Sequence, residues 1–275
     1  MRTLRPVRVN RAGRRVSGTG RRPESGLRRQ VVGGRWISRV LGMTARLHSE
    51  LLPGWVTWLR APNPGPMTLD GTNTWLLDDG TVIDPGPDDL AHLEAIIEAG
   101  PVRRILFTHG HPDHVDGVTT LLALTGASVG EVPDWLTELP TPGHTTDSVC
   151  FVAERDGQRV VFTGDTILGR GSSVVAWPDG DVAAYLASLD VLAGYDVPGL
   201  PGHGPVLPDC AAAARWLRDH RLERLDQVRA ALKQGARTPE DVVNVVYADV
   251  DPAIRFAAEW TVRAQLAYLE TLSEL

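Results

Sequence analysis

An α/β layered sandwich followed by an all-helical C-terminal segment is the fold class the sequence predicts. Three observations predict it. Strands, hairpins and helices alternate through residues 55–205, the pattern of layered α/β folds. Polar loops fall repeatedly at the strand ends of that span. From Pro208 onward only helix-period apolar spacing is left, and no internal repeat recurs at a fixed period.

The elements follow in order. Residues 55–59 (Trp-Val-Thr-Trp-Leu) read as a first strand, stopped by the Pro/Gly-rich stretch 61–66. Residues 73–77 and 81–84 flank Asp78-Asp79-Gly80, a hairpin signature. Residues 87–99 carry Leu90, Leu93, Ile96 and Ile97 as a helical stripe, closed by Gly100-Pro101. A strand over 104–108 runs into a turning loop, and 115–124 follows as a helix ending at Thr125-Gly126. Residues 127–143 are broken by Gly and Pro and give no assignment. Strands at 148–153 and 160–163 make a second hairpin about residues 155–158, and 181–192 is a helix. Helices are expected over 211–234, from the cap signature Thr238-Pro239-Glu240-Asp241, and from about Asp251 onward.

Composition sets the outer limits. At 275 residues the chain can bury one large core, with or without an appendage. The net charge of −6 hides an asymmetry, since residues 1–40 hold twelve arginines and one acid, Glu24. The remainder is strongly acidic, which argues against non-specific nucleic-acid binding driven by phosphate neutralisation. Residues 1–48 are expected to be a disordered Arg-rich tail or to lie upstream of the natural start, with Met43 as initiator. Residues 49–207 then form the sandwich and 208–275 the helical segment. Cys150 and Cys210 make no disulfide framework or CxxC pair, and no apolar run approaches the roughly 18 residues of a membrane span. A reducing, cytoplasmic setting without membrane association fits both features.

The chemistry is concentrated in residues 105–117. There an apolar strand breaks into His109, His111, Asp113 and His114, with Gly110 and Pro112 alternating between them. Three of the chain's eight histidines fall in six positions, and imidazoles with carboxylate at this density suit zinc or a similar borderline cation. Three further loops each present one ligand type beside glycine: Gly143-His144, Gly164-Asp165 and Gly202-His203. Asp84 follows a strand in Asp84-Pro85-Gly86. His48 and His92 have no such context and read as surface residues.

On these motifs the sequence resembles the metallo-β-lactamase superfamily of dinuclear metallohydrolases, from about Gly71 to Pro205. The resemblance implies a four-layer αββα sandwich with two Zn2+ per chain. His109, His111 and His144 would hold one zinc; Asp113, His114 and His203 would hold the other, with Asp165 bridging. Asp84 would orient a ligand or the attacking water, which puts Asp84, Asp113 and Asp165 in the catalytic machinery. Two metals about 3.5–4 Å apart would supply a bridging hydroxide at neutral pH.

Within the superfamily, residues 68–75, 164–169, 201–206 and Asp219-His220-Arg221 are similar to one branch. It comprises small hydrolases with a C-terminal winged-helix-like domain, among them β-lactamase-like endoribonucleases that cut single-stranded RNA. That branch is the leading expectation for function. A thioesterase or other carboxylic-ester hydrolase resembling hydroxyacylglutathione hydrolase is the alternative, followed by a mononuclear iron dioxygenase and a metal-free scaffold. The substrate is then a small-molecule ester or single-stranded RNA, and no protein partner is legible beyond a homodimer. Arginines 215, 218, 221, 224 and 229 with Lys233 could meet RNA, but interleaved acids favour a salt-bridged face. Trp177 and Tyr185 are candidates to line a cleft, with core packing favoured for Tyr185.

Overall fold

The computed structural model describes residues 44–274, all within one compact unit. The tail or misplaced start expected before residue 44 lies outside the described residues. The first sheet has the order β1 (Ala45–Leu47), β2 (Val56–Arg60), β3 (Asn73–Leu77), β4 (Thr81–Ile83), β5 (Arg104–Leu106) and β6 (Ser128–Val129). Its first four strands pair antiparallel, while β4, β5 and β6 are parallel. The second sheet contains β7 (Leu136–Pro140), β8 (Val149–Arg155), β9 (Gln158–Gly164) and β10 (Gly199–Pro201), in the order β10-β9-β8-β7.

Period-two alternation sorts side chains into three apolar layers. Trp58, Trp75, Leu77, Ile83 and Leu106 meet Phe151, Phe162 and Leu200 between the sheets. The opposite face of the first sheet, with Leu76, Val82 and Ile105, packs on Leu93 and Ile96 of α1 (Leu90–Ala99) and Leu121 of α3 (Val118–Thr125). Cys150, Val152 and Val161 turn outward from the second sheet against α4 (Val182–Leu192) and α5 (Cys210–Lys233). The result is the expected αββα order. Truncating a fully buried residue such as Trp75 to alanine would cost about 3–5 kcal/mol.

The structure corrects the expected elements in several places. The sheet starts before residue 49, because Ala45, Arg46 and Leu47 pair with Arg60, Leu59 and Trp58. The helix expected over 115–124 is two pieces, the single turn α2 (Pro112–Val115) and α3, broken at Asp116-Gly117. A Cβ on Gly117 would stand 2.9 Å from Leu93 and 3.0 Å from the Pro87 carbonyl, so the break lets the chain pass close to α1. The unassigned stretch 127–143 holds β6 and the edge strand β7, whose Pro140 sits at the strand end, where the sheet tolerates it.

The C-terminal segment does not close a core of its own. Ala214 and Leu217 of α5 share one cluster with Cys150 and Val161 of the sheet, with Tyr185 of α4, and with Val262 of α7 (Arg255–Thr271). Helix α6 (Pro239–Val246) begins with the expected capping box between Thr238 and Asp241. No strand follows β10 among the described residues, so the wing of a winged helix is absent there. No helix among the described residues is long and apolar enough to cross a membrane.

Candidate metal centre

Five strand ends converge on one edge of the sandwich. Asp84 follows β4, residues 108–114 follow β5, His144 follows β7, Asp165 follows β9, and His203 follows β10. Backbone bonds stitch the two sheets together along this edge, Asn73 N to Gly202 O at 2.7 Å and Val149 N to Thr108 O at 2.8 Å, while Gly202 N to Gly164 O at 2.8 Å ties the ends of β10 and β9. All seven expected ligands are brought together. They group as His109, His111 and His144; His109, His114 and Asp165; and Asp113, His114 and His203.

The outer hydrogen bonds fix which ring nitrogen faces inward. His114 Nδ1 donates to Asp84 Oδ2 at 2.9 Å, and His144 Nδ1 donates to Val174 O at 2.6 Å. His203 Nδ1 faces the Gly71 carbonyl at 3.3 Å. Thr108 Oγ1 donates to Asp84 Oδ2 at 2.8 Å, which leaves its oxygen free to accept from His109 Nδ1 at 3.1 Å. In the neutral form of each of these four imidazoles the proton is therefore on the outside and Nε2 carries a bare lone pair. Asp84 thus orients a histidine of each metal group, one directly and one through Thr108.

Those lone pairs point at one another. His114 Nε2 and His203 Nε2 lie 3.2 Å apart, while His109 Nε2 and His144 Nε2 are 3.0 and 3.1 Å from His111 Nδ1. Asp113 Oδ2 is 3.1 Å from His203 Nε2, and the Asp165 oxygens lie 3.5 Å from His114 Nε2 and 3.4 Å from His203 Nε2. Asp165 Oδ1 is buried with no hydrogen-bond partner. Acceptors facing acceptors in a buried site need a cation or a shared proton between them. The residues present therefore fit divalent metal.

Electrostatics divides the histidines. Burial pushes His203 down, but the Asp165 and Asp113 carboxylates overcome it and raise the ring to about 11. His114 is likewise raised against burial, by Asp84 and Asp165. Burial and the neighbouring imidazoles hold His109 and His144 below the ordinary range, despite the pull of Asp165. Asp165 is kept well below the usual carboxylate range despite its burial, chiefly by His203 and His114. Protons can thus neutralise one half of the cluster, whereas His109 and His144 stay bare for a metal.

Glycine permits this crowding. A Cβ on Gly202 would lie 2.4 Å from Asp165 Oδ1 and 2.6 Å from His114 Cε1. Only a residue without a side chain fits there.

Other supporting residues have no sequence signature. Thr108 is one. His92 is a second and a correction, since the expected surface residue is fully buried. Its Nε2 meets Thr74 Oγ1 at 3.0 Å, its Nδ1 meets Thr44 Oγ1 at 2.9 Å, and Thr74 donates to the Asp84 carbonyl at 2.6 Å. Burial lowers His92 to about 4, so its ring is neutral. Tyr185 is core, as favoured, and Trp177 is half exposed. Cys150 and Cys210 are buried thiols pushed up by burial, Cys150 to about 11 and Cys210 further still, and are not nucleophiles.

Comparison with known proteins agrees with this geometry. The family model described as the metallo-beta-lactamase superfamily matches residues 67–141 and 129–203. The chain is 34% identical over 229 residues to the atrochrysone carboxyl ACP thioesterase of Aspergillus chevalieri, covering 69% of this chain and 72% of that one. It is 31% identical over 260 residues to the beta-lactamase-like protein 2 homolog of Drosophila melanogaster, covering 78% and 87% respectively. In fold it is similar to a beta-lactamase domain protein from Burkholderia ambifaria, with a TM-score of 0.67 at 24% identity over 86% of this chain and 90% of that one. With its seven His and Asp side chains gathered at the sandwich edge, the chain belongs to the metallo-β-lactamase superfamily and is a hydrolase of that family.

Proposed function

We propose that the protein is a zinc hydrolase that holds two metal ions and cleaves a carboxylic thioester or ester. The observation that carries the metal reading is the set of inward lone pairs with two carboxylates, Asp113 and Asp165, among them. His109, His111 and His144 would hold one ion; Asp113, His114 and His203 the other; Asp165 would touch both. When bound, the metals lower the pKa of water and polarise the scissile oxygen. The chain's own contribution is to hold His114, His109 and His144 each in one tautomer, through Asp84, Thr108 and the Val174 carbonyl respectively.

The substrate class rests on charge and apolar surface. The arginine row of α5 is largely spent on acids: Arg215 pairs with Asp196, Arg218 with Asp190, and Arg229 with Asp226 and Glu274. Few cations are left there for a phosphate backbone. Trp177, three residues beyond the Val174 carbonyl that binds His144, bonds through its backbone N to the Trp260 carbonyl, and the exposed rings of Trp177, Trp260 and Phe256 offer apolar surface that suits an acyl portion. The Aspergillus relative named as a carboxyl ACP thioesterase points the same way.

Single-stranded RNA is the second reading, carried by the branch resemblance and by exposed Trp216, stacked on His220 at 5.3 Å, which offers a platform for a base. The discriminating experiment is a parallel assay of zinc-loaded protein on an acyl-thioester panel and on single-stranded RNA, with Asp165→Ala as control. Thioester turnover lost in D165A supports the proposal. RNA cleavage without thioester turnover overturns the substrate class, and an unaffected D165A rate overturns the site.

A further inference from the structure

Helix α5 sends one arginine into the body of the protein while its neighbours stay at the surface. Arg221 is 6% exposed, and no carboxylate lies within ion-pair distance of it among the described residues. Its guanidinium donates through Nη2 to the Ser173 carbonyl and lies over the Tyr185 ring, 5.2 Å from the centroid. An unpaired buried charge is expensive, and a methionine or leucine would fill such a site without that cost. Core packing therefore leaves the charge unexplained.

The loop that Arg221 grips explains it. Ser173 Oγ donates to the Asp165 carbonyl, and the Tyr185 hydroxyl donates to the Thr166 carbonyl at 2.7 Å. The next carbonyl along, that of Val174, accepts the outer proton of His144 at 2.6 Å. One short segment, residues 173–174, thus sets both the bridging carboxylate and a histidine of one metal group. Arg221 holds this segment against α5, while Tyr185 of α4 holds the neighbouring Thr166 carbonyl.

We propose that Arg221 is a positioning residue for the metal centre, fixing the 173–174 carbonyls so that His144 and Asp165 face the same cation. The proposal rests on the two-metal reading above. It also gives the C-terminal helical segment a role in metal loading, although the matched family model ends at residue 203.

The test is chelator-competition titration with zinc on the wild type, Arg221→Met, Arg221→Lys and Ser173→Ala, with thermal unfolding of the metal-free forms alongside. Arg221→Met keeps the packing on Tyr185 and removes the hydrogen bond. It should weaken zinc binding about 10–100-fold, the range seen when a ligand's outer partner is lost, and Arg221→Lys should recover part of that loss. Ser173→Ala, which leaves α5 untouched, should weaken binding in the same direction and keeps the test open if Arg221→Met fails to fold. Metal-free unfolding temperatures of the lysine and serine variants should stay close to wild type. Wild-type zinc affinity in Arg221→Met or in Ser173→Ala would overturn the proposal, as would a loss in proportion to metal-free stability. A wild type that takes up no zinc would overturn the two-metal reading, and this inference with it.

Discussion

Asp84→Asn is the sharpest probe of how the site is held. The substitution is isosteric in a residue that is 1% exposed, so packing is preserved. Its Oδ1 can still accept from Thr108 N, now at 2.7 Å. The amide nitrogen, however, replaces an oxygen that accepts from both Thr108 Oγ1 at 2.8 Å and His114 Nδ1 at 2.9 Å. Donor then faces donor. His114 can relieve the conflict only by moving its proton to Nε2, the atom 3.2 Å from His203 Nε2, and that removes a metal-binding lone pair. Reversal of the Thr108 hydroxyl would carry the same inversion to His109. A charge-assisted hydrogen bond of this kind is worth about 1.5–3 kcal/mol, or about 10–150-fold at 1.4 kcal/mol per decade. Zinc affinity measured by chelator competition should therefore fall about 10–100-fold, with kcat/KM falling in step at limiting zinc. Unchanged affinity and rate in D84N would refute the tautomer argument.

Two further outcomes follow from the same geometry. Gly202→Ala puts a Cβ 2.4 Å from Asp165 Oδ1, so it should lose zinc and activity while circular dichroism still reports the native fold; overpacking of this size costs about 1–3 kcal/mol. His92, lowered by burial to about 4, should stay neutral in an NMR titration until about that pH. Between 6.5 and about 4 the unfolded chain binds the proton and the folded chain does not. His92 thus lowers stability as pH falls through that window, by on the order of 3 kcal/mol, and His92→Gln should flatten that part of the acid limb.

The candidate site residues were legible because they fall in loops beside a glycine or proline, and because the order of these loops along the chain resembles the motifs of the superfamily. Asp84-Pro85-Gly86, Gly143-His144 and Gly202-His203 are of this kind. Two further supports, Thr108 and His92, were not. Thr108 looks like one more strand residue, and its place between Asp84 and His109 depends on two loops meeting. His92 lies beside the apolar stripe of α1 and is buried because β1 and Thr74 come to it. The strand β1 has only Ala-Arg-Leu, too short for alternation to show. Helix α5 was recognisable by period, but period does not tell which surface will cover its apolar face. Its burial against α4 and the second sheet is a tertiary fact, and so is the inward turn of Arg221.

The most direct measurement is the metal content of the purified protein, wild type and Asp165→Ala, by elemental analysis after zinc loading and removal of free metal. The account predicts about two zinc ions per wild-type chain and fewer in D165A, with hydrolysis abolished in the variant. One iron per chain, or a D165A chain that keeps both zinc ions and full activity, would contradict it.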